Sequence, residues 1–151
     1  MSMKKVFIYY SHTGNGDFVA DILKEKEFEI RKIDTEKKVL PNPFFFKMIV
    51  GGFKATIGSS PKLSEYVKNI EDFDEVYIGS PIWNARLATP TNTLLKELNL
   101  EGKKITFVLY SGSGTSKGAT KKISKLYPEA RIINLKEPLK YKEEAANKLS
   151  F

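Results

Sequence analysis

Lys5-Val6-Phe7-Ile8-Tyr9-Tyr10-Ser11-His12-Thr13-Gly14-Asn15-Gly16 decides which fold this chain adopts. The first half is an apolar run of β-branched and aromatic residues of strand length, and the second half is a polar turn containing glycine. Phe18, Val19, Ile22 and Leu23 then recur at helical spacing and give one apolar face. Strand, glycine-rich turn and helix in direct succession form the repeating unit of a parallel α/β sheet. In that context the turn brings backbone N–H groups and a helix dipole to one point, an arrangement that favours a phosphate. It lacks the lysine and the spacing of a nucleoside-triphosphate loop, and it does not match the dinucleotide fingerprint. An ordinary Gly-Asn turn capped by Ser or Thr explains the same residues, so both readings stay open at this point.

Outward from this unit the alternation continues. Phe28-Glu29-Ile30-Arg31-Lys32-Ile33 reads as a second, more exposed strand. Residues 34–62 read as a long connection, broken by Leu40-Pro41-Asn42-Pro43 and Gly51-Gly52, with one or two short helices lying on the surface near a site. The spacing of Leu63, Val67 and Ile70 predicts a helix over 63–70, followed by a third strand over 75–79. Pro90 suits the first turn of a helix whose buried face carries Leu94, Leu95 and Leu98. A fourth strand over 104–110, a glycine–serine loop over 111–116 and a helix carrying Ala119, Ile123 and Leu126 come next, and that helix ends before Pro128. A fifth strand over 131–135 and a terminal helix over 141–150 complete the chain. The expected architecture is a single α/β domain over 1–151: a three-layer, doubly wound, five-stranded parallel sheet of order 2-1-3-4-5.

Composition narrows the chemistry. The 151 residues suit one domain with its own core. The absence of cysteine excludes disulfides, thiolate catalysis and cysteine-ligated metal within this chain. No apolar run approaches the roughly 20 residues of a membrane-spanning helix, and the apolar run at 6–10 is too short for a signal peptide, so a cytoplasmic protein is expected. Lys and Arg number 25 against 18 acids, a net charge of +7. The basic residues are spread along the chain without a nucleic-acid-binding motif, so the charge points to acidic partners and anionic cofactors rather than to nucleic acid.

In an open sheet of this order, ligands bind beyond the carboxyl ends of the strands where the order reverses, here between strands 1 and 3. The loops after strands 1, 3 and 4 therefore converge. The second of them, Gly79-Ser80-Pro81-Ile82-Trp83-Asn84-Ala85-Arg86, holds the only tryptophan, placed either to stack on a planar ring or to pack on the edge of the core. The third, Ser111-Gly112-Ser113-Gly114-Thr115-Ser116, offers unobstructed backbone N–H groups or is simply a flexible turn.

Together the loops carry a family resemblance. Ser-His-Thr-Gly-Asn-Gly at 11–16 resembles the flavodoxin phosphate loop, Ser-Pro-Ile-Trp-Asn at 80–84 its isoalloxazine-stacking loop, and Ser-Gly-Ser-Gly at 111–114 its third flavin loop. Gly51-Gly52-Phe53-Lys54-Ala55 resembles the connection of some small flavodoxin-like oxidoreductases. The resemblance implies noncovalent flavin mononucleotide (FMN) and a redox role. It places Ser11, Thr13, Gly14 and Asn15 around the phosphate, His12 mainly through its backbone, and Gly16 at the end of the loop. It lays Pro81, Ile82, Trp83 and Asn84 along the ring, with Ser80 opening that loop, and brings Ser111, Gly112, Ser113 and Gly114 to the ring's polar edge. Two positions depart from the family pattern. Gly16 stands where a hydroxyl residue is usual, removing one phosphate hydrogen bond, and Asp17 follows, expected to point to solvent in the first turn of the helix. The basic charge also differs from that of typical electron-carrying flavodoxins, which are acidic.

No catalytic side-chain set or metal site stands out, and FMN would perform the chemistry. The expected function is electron transfer by an FMN-binding flavodoxin. A small FMN-dependent NAD(P)H oxidoreductase acting on quinone-like acceptors is the alternative, with the apolar 44–57 stretch as a substrate wall, a dimer interface or a cover for the core. A flavodoxin-fold binding domain that has lost FMN is the third reading. The expected partner is a redox protein or a small-molecule electron acceptor, with no nucleic acid or membrane, and the chain acts as a monomer or homodimer. Arg86, at the pyrimidine edge of a flavin or else solvated, is the charge best placed to favour the reduced anion.

Overall fold

The structure, a computed structural model, describes residues 3–36 and 61–151. The elements are β1 (Lys5–Tyr9), α1 (Asn15–Glu25), β2 (Glu29–Lys32), β3 (Glu75–Trp83), β4 (Arg86–Leu87), α2 (Thr89–Glu97), β5 (Lys104–Ser111), α3 (Lys117–Leu126), β6 (Arg131–Lys136) and α4 (Lys142–Lys148). The sheet runs β2-β1-β3-β5-β6, all parallel, with β4 turned back antiparallel on β3. Once β4 is set aside as the return of a hairpin, this is the expected 2-1-3-4-5 order. The topology reverses between β1 and β3, because β2 lies on one side of β1 and the rest of the sheet on the other.

The period-two alternation of β1 sends Val6, Ile8 and Tyr10 to one face and Phe7 and Tyr9 to the other. The first set packs with Leu94 of α2 and Ile123 of α3, and the second with Val19 and Leu23 of α1 and Leu149 beside α4. Both faces of the sheet are thus covered, which is why the central strands read as unbroken apolar runs. Among the described residues no helix is long and apolar enough to cross a membrane.

The helix expected over 63–70 does not form. Those residues take no regular structure beyond one bridge: Leu63 pairs antiparallel with Thr35, and the Ser64 N–H donates to the Asp34 carbonyl at 2.9 Å. The Arg31 guanidinium donates to the carbonyls of Val67 at 3.1 Å and Asn69 at 2.6 Å and so ties this segment to β2. Leu63 and Ile70 are buried but Val67 is 61% exposed, so the apolar spacing does not mark one helical face. The short helices expected within 34–62, and the apolar 44–57 stretch with Gly51-Gly52, fall on residues outside those described.

Candidate functional site

At the carboxyl end of β1 the chain enters α1 through Gly14, whose φ of +91° is a left-handed conformation natural to glycine. Gly14 supplies no side-chain cap, and the first turn of α1 therefore keeps N–H groups without intrahelical carbonyls. One of them is met locally, where the Gly16 N–H donates to Ser11 Oγ at 3.0 Å. The Asn15 amide donates to Thr13 Oγ1 at 3.3 Å, and its Oδ1 accepts the Leu139 N–H at 3.1 Å from the loop after β6. His12 and Thr13 are exposed at the tip.

The glycine at 16 has a packing cause. A Cβ there would lie 2.5 Å from the Tyr110 hydroxyl and 2.8 Å from both Ser11 Cβ and Tyr9 Cδ2. Tyr110 is buried and donates its hydroxyl to the Tyr10 carbonyl at the root of the loop. No side chain fits at 16 while this tyrosine stands beneath it. Asp17 is also better accounted for than as a solvated acid. The Tyr9 hydroxyl donates to its Oδ1 at 2.7 Å, and Lys32 Nζ lies 2.9 Å from the same oxygen. Burial raises the Asp17 pKa, but Tyr9 and Lys32 together pull it below the ordinary carboxylate value, while burial and the Asp17 carboxylate push the Tyr9 hydroxyl up. The acid's charge is thus balanced on the flank of α1.

At the end of β3 the chain makes a two-residue hairpin into β4, pairing Trp83 with Arg86 and Ile82 with Leu87. Asn84 and Ala85 both have positive φ, +51° and +63°, as a type I′ turn requires. For alanine the left-handed conformation costs about 1–2 kcal/mol. The turn packs on α3 at Gly118, where a Cβ would lie 2.6 Å from the Ala85 carbonyl oxygen. Trp83 is half-buried and meets the Tyr10 ring edge-on at 5.8 Å and 88°, which fixes the indole without covering it wholly. Pro81 and Ile82 are half-buried, and Asn84 and Arg86 are exposed. Ser80 is fully buried: its hydroxyl accepts the Ala88 N–H at 3.2 Å and the Thr91 hydroxyl at 2.7 Å, and donates to the Pro81 carbonyl at 2.9 Å. It anchors α2 to the base of the hairpin rather than facing outward.

The loop after β5 closes on its own hydroxyls. Ser111 Oγ accepts the Gly114 N–H at 3.0 Å, and Ser113 Oγ accepts the Thr115 N–H at 3.2 Å. Gly114, with φ +77°, lies against Lys136 of β6. Gly112 has open space on the side where a Cβ would lie.

The three loops are brought together by their neighbouring strands and by two tyrosines. Tyr110 links β5 to the root of the first loop, and Tyr10 links that loop to Trp83. Burial and the Asp34 charge push the Tyr10 hydroxyl up to about 12, so it stays neutral beside the indole at ordinary pH. The pattern of glycines and hydroxyls marked the loops, but nothing in it marked Tyr110, Tyr10 or the loop contact from Leu139. Chemically, the region offers an uncapped helix start that suits a phosphate, an indole that suits a planar ring, and an open backbone at Gly112 that suits a polar edge. A flavin nucleotide fits this donor set.

The sequence matches the model of the Flavodoxin family over residues 54–147, more than half of the chain. No curated protein matches it. A flavoprotein from Lactobacillus acidophilus, solved in complex with FMN, is 18% identical, with 94% of this chain and 98% of that one covered and a TM-score of 0.70. Proteins designated flavoproteins from Bacteroides uniformis and Bacteroides eggerthii are 21% and 19% identical, with TM-scores of 0.72 and 0.71. The first pairing covers 100% of both chains, and the second 96% of this chain and 99% of the other. At these identities the likeness is one of fold.

Proposed function

The chain belongs to the flavodoxin family, and from that membership we propose that it is a redox flavoprotein that holds FMN noncovalently and transfers electrons. The observation that carries this reading is the meeting, at the sheet's topological switch, of an uncapped helix start, a fixed and half-exposed indole, and a loop open at Gly112. FMN is also the ligand of the Lactobacillus acidophilus relative.

In this reading Ser11, His12, Thr13, Gly14, Asn15 and Gly16 hold the phosphate, chiefly through backbone N–H groups and the α1 dipole. Pro81, Ile82, Trp83 and Asn84 flank the ring, and Ser111, Gly112, Ser113 and Gly114 meet its polar edge. Ser80 acts from beneath, keeping the hairpin in register with α2. When bound, FMN supplies one- and two-electron redox chemistry, and the protein sets its orientation and surroundings. Trp83 and Tyr10 exclude water from one side of the ring, and Arg86 adds positive charge at the hairpin, which favours electron-rich forms of a nearby ligand.

Equilibrium titration of the purified protein with FMN and with riboflavin tests the reading. FMN is expected to bind far more tightly, because riboflavin lacks the phosphate. Failure of both ligands to bind overturns it and leaves a fold retained for other binding. Oxidation of NAD(P)H by the FMN-loaded protein alone would move it from the electron carriers to the small oxidoreductases.

A further inference from the structure

We propose that one face of α3, beginning at the Trp83 hairpin, is a docking surface for an acidic partner protein; its redox meaning rests on the function proposed above. Lys117, Lys121 and Lys125 are exposed and spaced four apart, so they form a single row about 12 Å long on one face of the helix. Lys122 lies beside the row, bonded to Asn92 Oδ1 of α2 at 3.4 Å. The helix contains no Asp or Glu, and its first acidic neighbour in the chain is Glu129, beyond its end. Among the described residues none of the three row lysines forms an ion pair, whereas Lys32, Lys62, Lys68, Lys104 and Lys148 each do.

The row is costly within the isolated chain. Like charges four apart on a helix repel, and a lysine in the first turn opposes the helix dipole. A matching row of carboxylates on another protein removes both penalties at once. The position of the row gives it a use. Gly118 lets α3 approach the Ala85 carbonyl, so the amino end of the row abuts the hairpin that carries Trp83 and the exposed Arg86. A partner seated on the row reaches the edge of the candidate flavin site. Of the apolar residues of α3, Ala119 and Ile123 are buried against the sheet, and Leu126 alone, at its last position, is exposed, too little apolar surface for a membrane. No aromatic residue on α3 is available to stack on a nucleic-acid base.

Fluorescein-labelled poly-L-glutamate, followed by anisotropy on the FMN-treated protein at low and moderate salt, tests the assignment. The variant Lys117→Gln/Lys121→Gln/Lys125→Gln is compared with Lys4→Gln/Lys24→Gln/Lys26→Gln, which removes the same charge from the start of β1 and the end of α1, the helix on the other face of the sheet. The row variant is expected to weaken binding about tenfold at low salt and flatten its salt dependence, with the control changing it less than about twofold. Its Tm should match or exceed that of the wild type, since repulsion is relieved. Equal weakening by both variants, or no weakening by either, overturns the proposal. So does a loss confined to labelled duplex DNA or phosphatidylserine vesicles. Flavin absorbance of the same samples reports separately on the FMN reading, and the polyglutamate result decides the docking face whether or not flavin is bound.

Discussion

Replacing Gly16 by alanine sets two effects against each other, and the structure says which prevails. Alanine is the better helix former, worth about 0.5–1 kcal/mol over glycine in a helix interior and less in the first turn where Gly16 lies. Against this, the new Cβ would stand 2.5 Å from the Tyr110 hydroxyl and 2.8 Å from Tyr9 Cδ2 and Ser11 Cβ. Tyr110 has little room to yield, being buried and bonded to the Tyr10 carbonyl. Overpacking of this kind costs about 1–3 kcal/mol, so a net loss of about 1–2 kcal/mol is expected. For a domain of this size that lowers Tm by about 2–8 °C. The cause can be isolated with Tyr110→Phe. Alone, that change leaves the buried Tyr10 carbonyl without its donor and costs about 1–3 kcal/mol. Combined with Gly16→Ala, it removes the closest clash, so the double variant should be more stable than the sum of the singles by at least about 0.5 kcal/mol. Urea unfolding of the four proteins measures this. Strict additivity, or a Gly16→Ala protein more stable than the wild type, refutes the packing explanation of the glycine.

Further outcomes follow from other parts of the site. Gly118→Ala lies on the exposed side of a helix, where alanine ordinarily stabilises, yet here it should lower stability by about 1–2 kcal/mol because its Cβ meets the Ala85 carbonyl at 2.6 Å; thermal unfolding checks the sign. Trp83→Ala should weaken FMN binding by about tenfold, from loss of roughly 1–2 kcal/mol of stacking and burial, measured by fluorescence titration. The Asp17 carboxyl has its pKa lowered in the folded protein, so its contribution is fully present above the unfolded value of 3.8 and fades as the pH falls through the lower native value. Asp17→Asn should therefore be less stable than the wild type at neutral pH and converge with it in strong acid; a gap that persists at low pH would disprove the linkage.

The order of strands was legible because each central strand, buried on both faces, carries an apolar run such as Val6-Phe7-Ile8 that few other structures tolerate. The turn from β1 into α1 was legible because polar residues and glycines are concentrated between such a strand and an amphipathic helix. What escaped was set by contacts between distant residues. Helical spacing over 63–70 was overridden by distant partners: the bridge from Leu63 to Thr35, the bond from Ser64 to Asp34, and the bonds from Arg31 to the carbonyls of Val67 and Asn69. The hairpin at Asn84-Ala85 was hidden because its second turn residue is alanine instead of the usual glycine. Gly16 looked like a missing hydroxyl until Tyr110 was seen to fill its place. Ser80 read as the opening residue of the stacking loop, and the sequence held no sign that its hydroxyl joins the hairpin to α2.

The bond between Asn15 and Leu139 spans 124 residues of chain, and this has a consequence for how the protein is made. On the ribosome, at about 5–20 residues per second, roughly 6–25 s separate the emergence of these two partners. Throughout that interval the loop that begins α1 exists without the backbone that later braces it. The bond from Leu139 can form only once the residues after β6 have been made. The brace on the α1 loop is thus left to residues made after every described strand of the sheet.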